Sequence, residues 1–174
     1  MILTTSAATA PIREVGVTGQ IYRLQEFIGQ APTRGVYVEG NEANGNALPQ
    51  GFLVFQPPGS ITQPHFHETN QFQVFVGGDG KFGKKAAAPV TVQYASGHTP
   101  YGPIAAGADG VVYYTLRQRW DPGAKYMPKM RDLLVRGRQR QALVTIAPDV
   151  LETFGTTVLI EPHDDGLMAC VVRL

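Results

Sequence analysis

Short apolar runs alternate with turn-forming residues along the whole chain, and their length predicts strands in preference to helices. The predicted strands are Val36–Glu39, Phe52–Gln56, Phe72–Val76, Val90–Tyr94, Val111–Leu116, Ala142–Ile146, Thr157–Ile160 and Leu167–Val172. Asn44-Gly45, Asp79-Gly80, Asp109-Gly110 and Asp165-Gly166 mark tight connections, because Asn or Asp before Gly accepts the backbone angles such turns need. One helix is predicted from Pro128 to Arg136, with Pro at its first turn, Met130, Leu133 and Leu134 on one side, and Gly137 beyond its end. Many short strands with so little helix imply an all-β sandwich or closed barrel.

Parity singles out one stretch. In an extended chain His65, His67 and Gln71 face one way, while Phe72, Val74 and Val76 face the other. Glu68 has the wrong parity and joins the first set only through a bulge. Two imidazoles one residue apart can share one ion. With the amide oxygen of Gln71 they form an uncharged nitrogen and oxygen set suited to Zn, Fe, Ni, Cu or Mn, with open positions for water or substrate. A carboxylate in place of Gln71 would hold such an ion more tightly; the amide leaves it a stronger Lewis acid that welcomes anions. The alternative is a metal-free pocket in which His65 and His67 hydrogen-bond to Gln71 or Gln73.

This stretch resembles the first cupin motif: Gly59, His65, His67 and Gly78 fall in register, and Gln71 stands where that motif has Glu. The second cupin motif matches in part, keeping Pro100 and Gly102 but placing Tyr94, Ala105 and Asp109 where Gly, His and Asn are expected. His98, in the adjoining loop, is the residue that would replace the missing ligand. The resemblance covers residues 59 to 116 and implies a cupin-type double-stranded β-helix, a small jelly-roll barrel with its ligand pocket inside. It also implies a divalent metal held by His65, His67, Gln71 and His98, and a homodimer, to which the surplus chain after residue 125 would contribute strands.

At 174 residues the chain fits one domain spanning its length, and it can bury about 70% of the surface that unfolding would expose. Hydrophobic residues make up 43% and no apolar run is long enough to cross a bilayer, which excludes a membrane-spanning helix. The first residues lack both the basic region and the apolar core of a signal peptide, so the expected compartment is the cytoplasm. The lone Cys170 cannot form an internal disulfide, and its apolar neighbours predict a packed thiol.

The formal net charge is +1, yet Arg117, Arg119, Lys125, Lys129, Arg131, Arg136, Arg138 and Arg140 crowd one segment against Asp121 and Asp132. A solvated strand face accounts for the alternation of Arg136, Arg138 and Arg140, and the absence of interleaved aromatics argues against nucleic acid. Gly77, Gly78, Gly80 and Gly83 follow a strand and open no helix, so they read as a hairpin turn and not as a phosphate loop. Of Tyr113 and Tyr114 one must face inward. His163 fits an exposed turn. Tyr101, between Pro100 and Gly102 at the expected pocket mouth, is the candidate catalytic residue, the alternative being a packed loop anchor.

Two functions follow as expectations. The first is a metal-dependent cupin enzyme acting on a small oxygen-bearing or aromatic molecule, by dioxygenase, isomerase, lyase or cyclase chemistry. The second is a non-catalytic cupin that binds or senses a small molecule, its metal site having degenerated. The fold does not choose between them.

Overall fold

In the computed structural model, residues 5–29, 49–137, 139–147, 149, 152 and 154–174 are described. The strand expected at 36–39 and the turn at Asn44-Gly45 lie outside them. The strands are β1 (Ile12–Val17), β2 (Gln20–Ile28), β3 (Gln50–Gln56), β4 (Ile61–Thr62), β5 (His65–Phe66), β6 (Gln71–Phe82), β7 (Lys85–Ala87), β8 (Thr91–Ala95), β9 (Ile104–Arg117), β10 (Lys125–Tyr126), β11 (Gln141–Thr145), β12 (Gly155–Ile160) and β13 (Ala169–Arg173).

Among the described residues all strand pairings are antiparallel. The main sheet runs β1-β2-β3-β9-β6-β8-β11, with β4 added to β9 and β7 to β6; β5 pairs β10, and β12 pairs β13. The chain is therefore all-β, as its apolar pattern predicts and as the cupin resemblance implies.

Alternation gives the sheet two working faces. The inward face carries Phe52 and Val54 of β3, Gln71, Gln73 and Phe75 of β6, and Val111, Tyr113, Thr115 and Arg117 of β9, all buried. Val15, Val17, Tyr22 and Leu24 of the β1–β2 hairpin join Phe52, Val54, Phe75 and Tyr113 in the principal core. The outward face carries Val92, Tyr94, Phe72 and Val74, over which Leu159, Ile160, Leu167 and Ala169 of the β12–β13 hairpin pack as a second apolar cluster. Tyr113 points in, and Tyr114 points out against Phe27.

Three expectations change. The segment 128–136 contains only a single 3-10 turn, Arg131–Leu133, with none of its residues buried and no side-chain cap from Met130. Without an apolar stripe against the core, so short a segment does not sustain an α-helix. Of the glycines expected to make a hairpin turn, Gly83 does so with Lys84 between the paired Phe82 of β6 and Lys85 of β7; Gly77, Gly78, Asp79-Gly80 and Asp109-Gly110 are not connections and lie within β6 and β9, which pair across bulges between Phe75 and Gly77 and between Gly78 and Gly80. A Cβ at Gly78 or Gly80 would run into the carbonyl of Gly110 or Ala105, so these glycines permit a close, bent approach of two long strands. Finally, Cys170 is exposed, because alternation along β13 sends it to the solvent side while Ala169 packs inward.

Candidate functional site

The inward face ends in a cluster of polar side chains fixed by strand register. Arg117 stands opposite Gln50 on β3 and opposite Gln71 on β6. Its Nε donates to Gln71 Oε1 at 3.1 Å and its Nη1 to Gln50 Oε1 at 3.1 Å. Phe52 lies under the guanidinium, 5.5 Å from ring centroid to Cζ, a favourable seat for a buried cation.

His65 and His67 reach the same chamber from β5 and the residue after it. β5 is held from both sides: His65 exchanges backbone hydrogen bonds with Tyr101 at 3.1 and 2.9 Å, and it pairs with Tyr126 of β10. The imidazole rings sit 5.2 Å apart, edge to face. The hydrogen-bond network assigns their tautomers. His65 Nδ1 donates to the Gln63 carbonyl at 2.7 Å, leaving Nε2 to accept from the Tyr101 hydroxyl at 2.9 Å. Gln71 Nε2 donates in turn to that hydroxyl. Tyr101 is seated by Phe82, whose ring stacks on it at 5.5 Å.

His67 Nδ1 donates to Asp121 Oδ1 at 2.7 Å. Asp121 is fully buried, 0% exposed, and its oxygens also accept from the backbone N–H of Gly123 at 2.8 Å, of Glu68 at 2.9 Å and of Thr69 at 3.2 Å, and from the Thr69 hydroxyl at 3.2 Å. Five donors thus satisfy one buried carboxylate, the condition for keeping a charge out of water. Burial alone pushes its carboxyl up, but His67, Arg117 and the Gly123 N–H outweigh burial and hold it well below the usual carboxylate range.

Both histidines are held neutral. Burial, then the neighbouring His67 and Arg117, bring His65 down to about 3, against a raising contribution from the Gln63 carbonyl. Burial and Arg117 lower His67 as well, although Asp121 pulls the other way. Burial raises the Tyr101 phenol above its ordinary value, so it stays protonated.

The chamber measures about 80 Å³ and is walled by Val15, Val17, Tyr22, Leu24, Phe52 and Val54 on its apolar side, with His65, His67, Gln73 and Arg117 on its polar side. Gln71 and Tyr101 stand behind these polar groups and outside the chamber wall. The structure therefore brings together His65, His67, Gln71 and Tyr101, and it places His98 elsewhere. His98 Nδ1 accepts from the Val135 N–H at 3.3 Å, and its ring lies 5.7 Å from Phe66, whose side chain leaves β5 on the face opposite His65. Its backbone N–H donates to the His67 carbonyl at 2.7 Å, a positioning contact for the neighbouring histidine.

Arg117 and Asp121 are the two groups that sequence reasoning did not place here. Parity with Tyr113 and Thr115 was the available signal for Arg117; its membership of a basic run hid it. Nothing local marks Asp121, which meets His67 across 54 residues.

As arranged, the donor set does not fit a divalent ion. Among the described residues no three His, Cys, Asp or Glu side chains group as metal ligands. Gln71 Oε1 is engaged by Arg117, and His65 Nε2 by Tyr101. Above all, Arg117 Nη2 lies 3.1 and 3.2 Å from the two ring nitrogens of His67, a permanent positive charge at the place a cation would occupy. At about 4 Å and an effective dielectric of about 20, a dication would meet roughly 8 kcal/mol of repulsion from it.

Comparison with known proteins adds little. No family model matches the chain, and no curated protein matches it. Among solved structures it is similar to a single-site variant of oxalate decarboxylase from B. subtilis, at 16% identity with a TM-score of 0.41, over 67% of this chain. This chain spans 29% of that protein's length.

Proposed function

We propose that the chamber binds a small anion, a carboxylate being the simplest, through Arg117 and His67 and without a metal. One observation carries this reading: Arg117 is buried and lines the chamber, and among the described residues its Nη2 has hydrogen-bond contacts only with the His67 ring nitrogens. Nη2 carries two N–H bonds, and His67, whose Nδ1 is committed to Asp121, can accept only one of them at Nε2, so the other is available to an incoming acceptor. Asp121 does not cancel this capacity, because it lies 3.8 Å from Nη1 and its oxygens are saturated by other donors. Charge-assisted hydrogen bonds of this kind contribute about 1.5–3 kcal/mol each.

Size sets the second condition. An apolar cavity of about 150 Å³ admits benzene, so 80 Å³ suits a ligand of about four to six non-hydrogen atoms. With so few atoms, affinities in the millimolar to high micromolar range are expected.

Titration of the protein with acetate and with acetamide, followed by the ring resonances of His65 and His67, tests the reading. Acetate is expected to shift them saturably and acetamide is not; equal responses would overturn it. A metal-dependent enzyme is the second reading, favoured by the convergence of two neutral imidazoles on one chamber. It requires Arg117 to swing away from His67, and it demands near-stoichiometric metal that disappears in the His65→Ala, His67→Ala double variant. The partner in either case is a small molecule. A second copy of the chain is the other proposed partner, docking on the outer side of the β12–β13 hairpin, where Val158 and Val172 are exposed.

A further inference from the structure

Resting on the anion reading, we infer that the ligand is a short hydroxy-carboxylate whose hydroxyl is held by the side-chain amide of Gln73. Gln73 is 4% exposed and lines the chamber, and its Oε1 is buried without a hydrogen-bond partner among the described residues. A buried carbonyl oxygen left unpaired is costly, so it selects a ligand that brings a donor. Its strand neighbour does not supply one. Gln93 stands opposite Gln73 in the β6–β8 register, is 0% exposed, and has both amide atoms unpartnered as well.

The geometry links this oxygen to the anion end of the chamber. Gln73 follows Gln71 by two residues on the same face of β6, and its register partner Thr115 precedes Arg117 by two on β9. On the backbone, Gln73 therefore lies one pleat, about 7 Å along the strands, from the level of Gln71 and Arg117. A carboxylate with a hydroxyl on its neighbouring carbon spans that interval with one hydrogen bond at each end, and its body stays within the chamber. An ammonium group would also donate to Gln73, but it would stand near Arg117 at the cost of like-charge repulsion. The hydroxyl is thus favoured over the amine, and the charge on Arg117 excludes short diols and amides as equal competitors.

Paired titrations with glycolate and acetate, with glycine as the amine control, test the inference in the wild type and in Gln73→Met, which keeps the length of the side chain and removes its amide. Glycolate is expected to bind about tenfold more tightly than acetate or glycine in the wild type. In Gln73→Met the preference is expected to shrink to about twofold or less. Equal affinities for glycolate and acetate in the wild type would overturn the hydroxyl subsite and leave the anion pocket standing. Failure of both to bind would overturn the anion reading itself. A preference that survives in Gln73→Met would overturn the assignment to Gln73. If that variant does not fold, the side-chain amide resonance of Gln73 in the wild type decides the matter: it is expected to shift with glycolate and not with acetate, and a shift with neither would refute the contact.

Discussion

The Arg117 guanidinium lies over the imidazole face of His67, with Nη2 at 3.1 Å from Nδ1 and 3.2 Å from Nε2. Here the protein holds its own cation, fixed by two glutamines on the flanking strands and balanced by a carboxylate beyond the ring. The positive charge that a divalent ion would bring to such a pair of histidines is thereby part of the fold, and it cannot be removed by a chelator.

Neutral buried histidines make the fold acid-sensitive. In the unfolded chain a histidine takes up its proton near its ordinary value of 6.5, whereas His65 in the folded state resists protonation down to about 3. Stability from this group is complete above about pH 6.5 and is lost as pH falls toward 3, at a limit of about 1.4 kcal/mol per pH unit. Between about pH 7 and about pH 5, His65 alone is expected to remove roughly 2 kcal/mol, with His67 acting in the same direction. Urea unfolding across that range measures it. A stability that does not change with pH would show that His65 is not held neutral, and His65→Gln is expected to flatten the slope.

Asp121→Asn keeps the shape of the side chain and removes its charge. It leaves buried Arg117 without a counter-charge and places an amide among five donors, so a loss of about 3–5 kcal/mol is expected. A loss below about 1 kcal/mol in denaturant unfolding would mean that this carboxylate does not organise the site.

Tyr101→Phe separates support from binding. The hydroxyl joins His65 Nε2 to Gln71 Nε2 from behind the chamber, so its removal is expected to cost about 1–3 kcal/mol of stability. Acetate affinity is expected to stay within about twofold of the wild type. Loss of acetate binding in a folded Tyr101→Phe protein would move Tyr101 into the binding machinery.

Much of this site is legible in the sequence, and the reason is parity. Alternation alone put His65, His67 and Gln71 on one side and Phe72 and Val74 on the other, as the structure has them. The runs at Phe52–Gln56, Val90–Tyr94 and Ala142–Ile146 fall within one residue or two of β3, β8 and β11. Long-range register is what the pattern could not carry. Gly78 and Gly110 read as turn glycines, although Gly78 lets β6 approach the Gly110 carbonyl of β9, and Gly110 lets β9 approach the Gln56 carbonyl of β3. Arg117 read only as one member of a basic run, because nothing local announces Gln50 and Gln71 as its partners across two strands. Pro128 and Gly137 are sound helix punctuation, yet the residues between them bury no face.

The outer side of the β12–β13 hairpin leads to an expectation about assembly. Val158 and Val172 are 43% and 55% exposed there, and Phe154 at the start of the hairpin is 73% exposed, an apolar surface that a second copy of the chain would cover. Sedimentation is expected to give twice the chain mass of 18.8 kDa, and Val158→Lys with Val172→Lys is expected to return it to the single-chain value. A wild-type mass of 18.8 kDa at micromolar concentration would refute the dimer.

Arg117, and not a metal, is proposed to give this chamber its affinity for anions. An acetate titration of protein stripped with chelator, read at the ring resonances of His65 and His67 and repeated after adding Zn(II) or Mn(II), distinguishes the two. Saturable acetate binding in the stripped protein, unchanged by either metal, is the expected result. Acetate binding that appears only once metal is added, with the histidine resonances first shifted by the metal itself, would contradict the claim.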